Sequence, residues 1–171
     1  MYETPEWAAD KAVCHILMPK FGTSKIVWEP CVGGGRIKTA LEKSGYKVIG
    51  TDLYPGPSDG EPRDFLKWQP EEWDIIMTNP PYGDAKNKCL QRAIELGKPW
   101  LMLMPLDTLT SKGRHTIFSE VVCEFWMEST KMYFTHNGEE VNASTGMMWI
   151  YSEGERSPSL IARPLSHPFF F

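Results

Sequence analysis

Apolar positions recur along this chain with two alternating periods. Ala8, Ala12, Val13, Ile16 and Leu17 repeat at helical spacing until Pro19, with Thr4 expected as the N-cap and Pro5 as the first helical residue. Lys25 to Trp28 reads as a short buried strand that ends at Glu29-Pro30 in the turn Gly33-Gly34-Gly35. Ile37, Ala40 and Leu41 then share one face of a second helix, and Gly45 stands just past its end. Lys47 to Asp52, Asp74 to Thr78 and Trp100 to Met104 predict three further strands, with a helix over Lys88 to Leu96 closed by Gly97. Val121 to Tyr151 is β-rich and is broken by the hairpin signal Asn137-Gly138.

Continuous apolar strands alternating with helices predict an α/β fold, a mostly parallel twisted sheet with helices on both faces and an antiparallel hairpin at an edge. Residues 54–62 are turn formers and predict a surface loop. Pro158, Pro164, Pro168 and the closing phenylalanines predict an irregular tail. The expected organisation is one domain over residues 1–151 and a proline-rich tail over 152–171, without internal repeats.

Composition narrows the class. At 171 residues, with 42% hydrophobic and 23% charged positions, the chain is long enough to bury a core and too apolar to stay disordered. The start Met1 to Trp7 has neither the basic nor the apolar region of a secretory signal. No apolar run approaches the roughly 18 residues of a membrane span. A soluble, cytoplasmic protein is expected. The scattered Cys14, Cys31, Cys89 and Cys123 read as core thiols in a reducing compartment, no metal site is expected, and the four histidines have no catalytic partners. Net charge is −4, which excludes a uniformly basic nucleic-acid binder. Residues 84–115 nevertheless carry Lys86, Lys88, Arg92, Lys98, Lys112 and Arg114 against three acids, and a polyanion would meet that stretch.

In sheets of this kind ligands bind at the carboxyl ends of the strands, where the candidate chemistry lies. Glu29-Pro30-Cys31-Val32-Gly33-Gly34-Gly35 combines a strand-end acid with glycines that permit close backbone approach. Asp52 ends the second strand nineteen positions after Gly33, near the roughly 20-residue spacing at which an acid meets a ribose hydroxyl. Together these favour a nucleoside cofactor. Thr78-Asn79-Pro80-Pro81-Tyr82 follows the third strand. Its prolines remove backbone donors and stiffen the chain, fixing the carbonyls of Asn79 and Pro80 as acceptors beside the flat face of Tyr82. Such a pair suits a planar substrate bearing an NH₂ group.

Over residues 3–151 the chain resembles the class I S-adenosylmethionine-dependent amino-methyltransferases, in particular the N6-adenine DNA methyltransferases with an Asn-Pro-Pro-Tyr motif. The likeness rests on Asn79-Pro80-Pro81-Tyr82 following Glu29-Pro30-x-x-Gly33-x-Gly35. It implies a single Rossmann-like methyltransferase domain with S-adenosyl-L-methionine as cofactor. Thr4-Pro5 would touch the methionine carboxylate, and Glu29, Pro30, Gly33 and Gly35 would line the methionine end. Asp52 would hold the ribose hydroxyls, Leu53 would pack on the adenine, Asp64 would receive its amino group and Phe65 would cover its ring. Asn79, Pro80, Pro81 and Tyr82 would be catalytic, with Tyr82 stacking on the target base opposite a later aromatic, for which Phe134 is the first candidate and Tyr133 its neighbour.

The resemblance implies methyl transfer to the exocyclic amine of adenine in nucleic acid, DNA before RNA, in a bacterium or a phage-infected host. The same tetrapeptide is similar to that of enzymes acting on RNA bases or on a protein glutamine amide, and a non-catalytic cofactor-binding subunit is the remaining alternative. The chain departs from the family in having only about twenty residues after Tyr151 for target recognition. Loops 106–118 and 135–146, the tail, a homodimer partner or a recognition partner would have to supply it.

Overall fold

The computed structural model describes residues 2–54, 56, 62–110, 118, 121–128, 130–143 and 146–155. The tail beyond residue 155, Lys112, Arg114 and most of loop 54–62 lie outside the described residues.

Helix α1 (Glu6–Ala12) runs through a π turn (Val13–Leu17) into α2 (Met18–Phe21). Pro19 therefore does not end the helix. A proline cannot donate its backbone hydrogen, and the widened turn immediately before it alters the local hydrogen-bond register. The expected N-cap is also different: Pro5 occupies that position, no side chain caps the helix, and the Thr4 hydroxyl is used elsewhere.

The first strand, β1 (Ile26–Glu29), leads through the glycine turn to α3 (Arg36–Lys43), then to β2 (Lys47–Gly50) and β3 (Ile75–Thr78). Helix α4 (Asp84–Leu96) starts four residues earlier than its apolar pattern, because Gly83 supplies the turn and Asp84 an acid for the first, electropositive turn. Gly45 and Gly97 adopt positive φ, 88° and 65°, at the ends of α3 and α4 as expected. Strand β4 (Trp100–Pro105) is followed by a 3₁₀ turn (Leu106–Leu109), β5 (Glu124–Met127), β6 (Tyr133–His136), β7 (Glu139–Asn142) and β8 (Met147–Ser152).

The main sheet has the order β2-β1-β3-β4-β8-β5, with the first four strands parallel and β8 antiparallel to both of its neighbours. The expected mostly parallel sheet is thus present, with the antiparallel pair β8 and β5 towards one edge; the expected antiparallel hairpin is present too, beside the sheet and not at its edge. Hairpin β6–β7 forms its own two-stranded sheet, turned by Asn137 and Gly138 at φ 51° and 84°.

Strand alternation divides the core between the two faces. Val27, Ile75, Met77, Leu101 and Trp149 join α1, α3 and the hairpin residue Phe134 on one face. Trp28, Ile76, Trp100, Met102 and Ile150 meet α4, Phe65 and Trp73 on the other. Helices on both faces leave ligands only the ends of the strands. No helix among the described residues is long and apolar enough to cross a membrane.

Candidate active site

The strand order turns back between β1 and β3, because the chain goes outward to β2 before crossing to β3. At such a switch point the loops leaving two adjacent strands part in opposite directions and open a crevice at their carboxyl ends. Here a cavity of about 630 Å³ opens there, within the usual range of ligand sites. Glu29-Pro30 leaves β1 on one side of it and Asn79-Pro80 leaves β3 on the other.

The glycine turn is tied to the end of β2. The Thr51 amide donates to the Glu29 carbonyl at 2.8 Å, and the Val32 amide donates to the Thr51 carbonyl at 3.1 Å. Gly33, at φ 54°, donates its amide to Asp52 Oδ2 at 2.9 Å, and the Tyr54 amide donates to Asp52 Oδ1 at 3.0 Å. Asp52 is thereby oriented by two backbone donors, with a lone pair to spare on each oxygen. Glu29 is fully buried and its Oε2 has no hydrogen-bond partner among the described residues. Burial pushes its carboxyl well above the usual carboxylate range; neighbouring Asp52 adds to this, while the Lys38 backbone opposes it.

A strap at the amino terminus crosses the other half of the site. The Glu3 amide donates to the Thr135 carbonyl at 2.8 Å, the Thr135 amide donates back at 3.3 Å, and the Glu3 carboxylate pairs with Arg36 at 3.3 Å. A Cβ on Gly34 would lie 2.2 Å from Glu3 Oε1, so a side chain there would push the Glu3 carboxylate away from its place beside Arg36. The next residue, Thr4, accepts a hydrogen bond from Asn79 Nδ2 at 3.1 Å through its Oγ1. Asn79 Oδ1 is buried and has no hydrogen-bond partner among the described residues. Beside it Pro80 is buried, Pro81 is exposed, and Tyr82 presents its ring at 37% exposure. Burial and the nearby Tyr2 push the Tyr82 hydroxyl up to about 12, against a smaller opposite influence of Asn79.

Most of the residues singled out in the sequence meet at this cavity: Thr4, Glu29, Pro30, Gly33, Asp52, Leu53, Asp64, Phe65 and Asn79 to Tyr82. Asp64 also holds a turn, its Oδ1 accepting from the Leu66 amide at 3.0 Å. Pro5 and Gly35 do not reach the lining; they start α1 and α3. Phe134 lies in the core behind Tyr82, with ring centres 6.2 Å apart and planes nearly perpendicular, and Tyr133 is exposed.

Other lining residues carried no signal in the sequence. Tyr2 reaches the cavity because the strap pairs with β6, and its ring stacks on His136 at 4.5 Å and meets Tyr82 edge-on at 5.3 Å. Cys31 and Cys89 also face the cavity as free thiols; their mutual interaction, with burial, raises the Cys31 thiol, and it lowers that of Cys89. The expectation that all four cysteines are core residues holds for Cys89 and Cys123 and fails at Cys14, which is exposed, and at Cys31, which is half-buried at the cavity wall.

No family model matches the chain. It is 34% identical over 91 residues to the type II methyltransferase M.TthHB8I of Thermus thermophilus, a match that spans 47% of this chain and 21% of that protein. A proposed RNA methyltransferase of Pyrococcus horikoshii superposes with a TM-score of 0.64 at 17% identity, covering 90% of this chain and 86% of the other. Magnesium protoporphyrin IX methyltransferase of Synechocystis, solved with S-adenosylmethionine bound, gives 0.55 at 10% identity over 86% and 79% of the two chains. The fold is that of a methyltransferase. This methyltransferase fold agrees with the Rossmann-like architecture that the resemblance implied, and the chain spans about a fifth of the curated relative it matches.

Proposed function

We propose that the chain is an S-adenosylmethionine-dependent methyltransferase acting on the exocyclic N6 amine of adenine in DNA. The observation that carries this reading is the state of Asn79: a buried acceptor oxygen without a partner among the described residues, at the wall of the cavity, on an amide whose other end is tied to Thr4. An NH₂ group on a flat ring supplies the two hydrogens that Asn79 Oδ1 and the Pro80 carbonyl would accept, while Tyr82 stacks on the ring.

The other wall fits the cofactor. The unpaired Oε2 of Glu29 offers an acceptor that a cationic group would help to ionise, the spare lone pairs of Asp52 suit ribose hydroxyls, and Gly33 lets the backbone close on the methionine end. Leu53 and Phe65 flank the space for the purine, with Asp64 as acceptor for its amine. When bound, the cofactor supplies a methyl group on a sulfonium, whose carbon the amine nitrogen takes while sulfur keeps the bonding electrons.

The chain itself orients and polarises. A ring-conjugated amine is a weak nucleophile, and two acceptors on its hydrogens favour a pyramidal nitrogen with its lone pair aimed at the methyl. The scheme uses no strong general base, and the surplus proton passes to water. A duplex base would have to be extruded first, at a cost of a few kcal/mol. The partial likeness to a type II methyltransferase agrees with DNA as the acceptor.

The test is incubation with methyl-labelled cofactor and a panel of duplex DNA, single-stranded DNA, RNA and translation release factor, followed by nucleoside and peptide mass analysis. Label on N6 of adenine in DNA, abolished in Asn79→Ala with cofactor binding retained, is expected. Label on RNA or on a glutamine amide would replace the acceptor, and cofactor binding without transfer to any of them would reduce the protein to a binding subunit.

A further inference from the structure

We propose that Thr4 is a positioning residue that sets which end of the Asn79 amide faces the acceptor amine. The inference rests on the reading of Asn79 given above and concerns a residue that the resemblance assigns to the cofactor instead.

The two ends of a side-chain amide have similar shapes and opposite hydrogen-bonding chemistry, and the terminal torsion of asparagine is broad, so sterics alone choose poorly between them. With Oδ1 facing the cavity, Asn79 accepts from an NH₂ group. Turned over, it would set donors against donors. What separates the two states is the surroundings of the far end: Thr4 Oγ1 accepts from Nδ2 at 3.1 Å, and the Tyr82 hydroxyl also interacts with this amide. Thr4 is only 5% exposed, so water competes poorly for that position.

The hydroxyl has no competing use in the helix that follows, since Pro5 is the N-cap of α1 and no side chain caps it. Its place is fixed independently of Asn79. Glu3 is bonded in both directions to Thr135 of β6, and its carboxylate pairs with Arg36 of α3. The strap therefore presents Thr4 from a frame built on two other elements, and the bond closes a gap of 75 residues in sequence. Its strength is that of one buried neutral hydrogen bond, which biases the amide by about tenfold.

Thr4→Val keeps the shape and removes the acceptor; Thr4→Ser keeps the acceptor. For wild type and both variants, three quantities are measured: the dissociation constant of S-adenosylhomocysteine by calorimetry, kcat and KM for methyl transfer, and the Asn79 side-chain amide resonances in ¹⁵N-labelled protein. In Thr4→Val the expected result is a kcat lower by about twofold, as the correctly turned fraction falls from about nine-tenths to about one half, an unchanged dissociation constant, and displaced Asn79 amide protons, all restored by Thr4→Ser. A loss of S-adenosylhomocysteine affinity at constant kcat would overturn the proposal and return Thr4 to the cofactor. Amide resonances that do not move in Thr4→Val would overturn it as well, and that readout stands even if wild type methylates none of the acceptors tried. In that case the reading of function fails separately. Melting curves of the two variants exclude loss of fold as the cause.

Discussion

The Gly33 amide and Asp52 Oδ2 form a 2.9 Å hydrogen bond between the glycine turn after β1 and the residue beyond β2. This bond makes the turn and the acid one unit. The carboxylate that faces the cavity also holds the backbone that shapes it, and Tyr54 occupies its second oxygen.

Asp52→Asn is therefore expected to damage both binding and stability. An amide has one acceptor oxygen, so either the Gly33 or the Tyr54 amide would face an NH₂ group. The lost charge-assisted bond costs about 2 kcal/mol, and cofactor affinity is expected to fall by about tenfold or more. Calorimetric titration with S-adenosylhomocysteine alongside thermal melts checks this. A lower melting temperature with unchanged affinity would leave Asp52 a structural role alone.

Glu29 predicts a trade between stability and binding that depends on pH. Its folded-state pKa is raised above the value of 4.5 taken for a free glutamate, by burial first. A carboxyl of this kind favours folding fully below its unfolded pKa, and that contribution is lost as pH rises through the folded pKa. At neutral pH Glu29→Gln is expected to melt higher than wild type, with the difference shrinking as pH falls towards about 4.5. The same variant should bind S-adenosylhomocysteine or the sulfonium cofactor more weakly. Equal melting temperatures at pH 8 would show that the carboxylate is compensated in solution.

Tyr82 should matter through its ring. Since burial holds its hydroxyl protonated up to about 12, Tyr82→Phe is expected to keep the wild-type pH–rate profile throughout the neutral and mildly alkaline range. Tyr82→Ala should raise the acceptor KM by about tenfold, the value of one lost stacking contact, and leave cofactor binding unchanged. A Phe variant as impaired as the Ala variant would transfer the role to the hydroxyl.

Gly154 lies past the end of β8, level with the amino end of β4 and away from the cavity. It adopts φ 84°, and a Cβ there would come within 2.5 Å of the Lys98 backbone oxygen, an atom that cannot swing aside. Gly154→Ala is expected to lower the melting temperature by about 5–10 °C while S-adenosylhomocysteine still binds below the transition. Unaltered melting would show that this corner relaxes freely.

Short-range features of the chain were sufficient for the elements and for most of the site. Apolar period located the parallel strands and the face of α3, and positive-φ positions at Gly45, Gly97 and Asn137-Gly138 marked where elements end, since each depends on a few consecutive residues. The cavity residues were legible for the same reason: Glu29, Asp52 and Asn79 each stand at or just past a strand's carboxyl end, and parallel strands bring those ends together. Failures began where a side chain had two local uses. Thr4 had the sequence of an N-cap, and for Phe134 the resemblance implied a clamp where the local sequence carried no signal of its depth.

Tertiary structure alone decided those cases. Thr4 turns to Asn79 because the strap is held by β6 and α3; Phe134 is buried because β6–β7 folds onto the main core beside Tyr82 instead of extending the sheet. The insertion of β8 between β4 and β5, and the meeting of Cys31 with Cys89, belong to the same class. A local pattern records what each residue asks of its neighbours along the chain. Which distant group answers is set by the packing of whole elements, whose energy is shared among many residues and written in none of them singly.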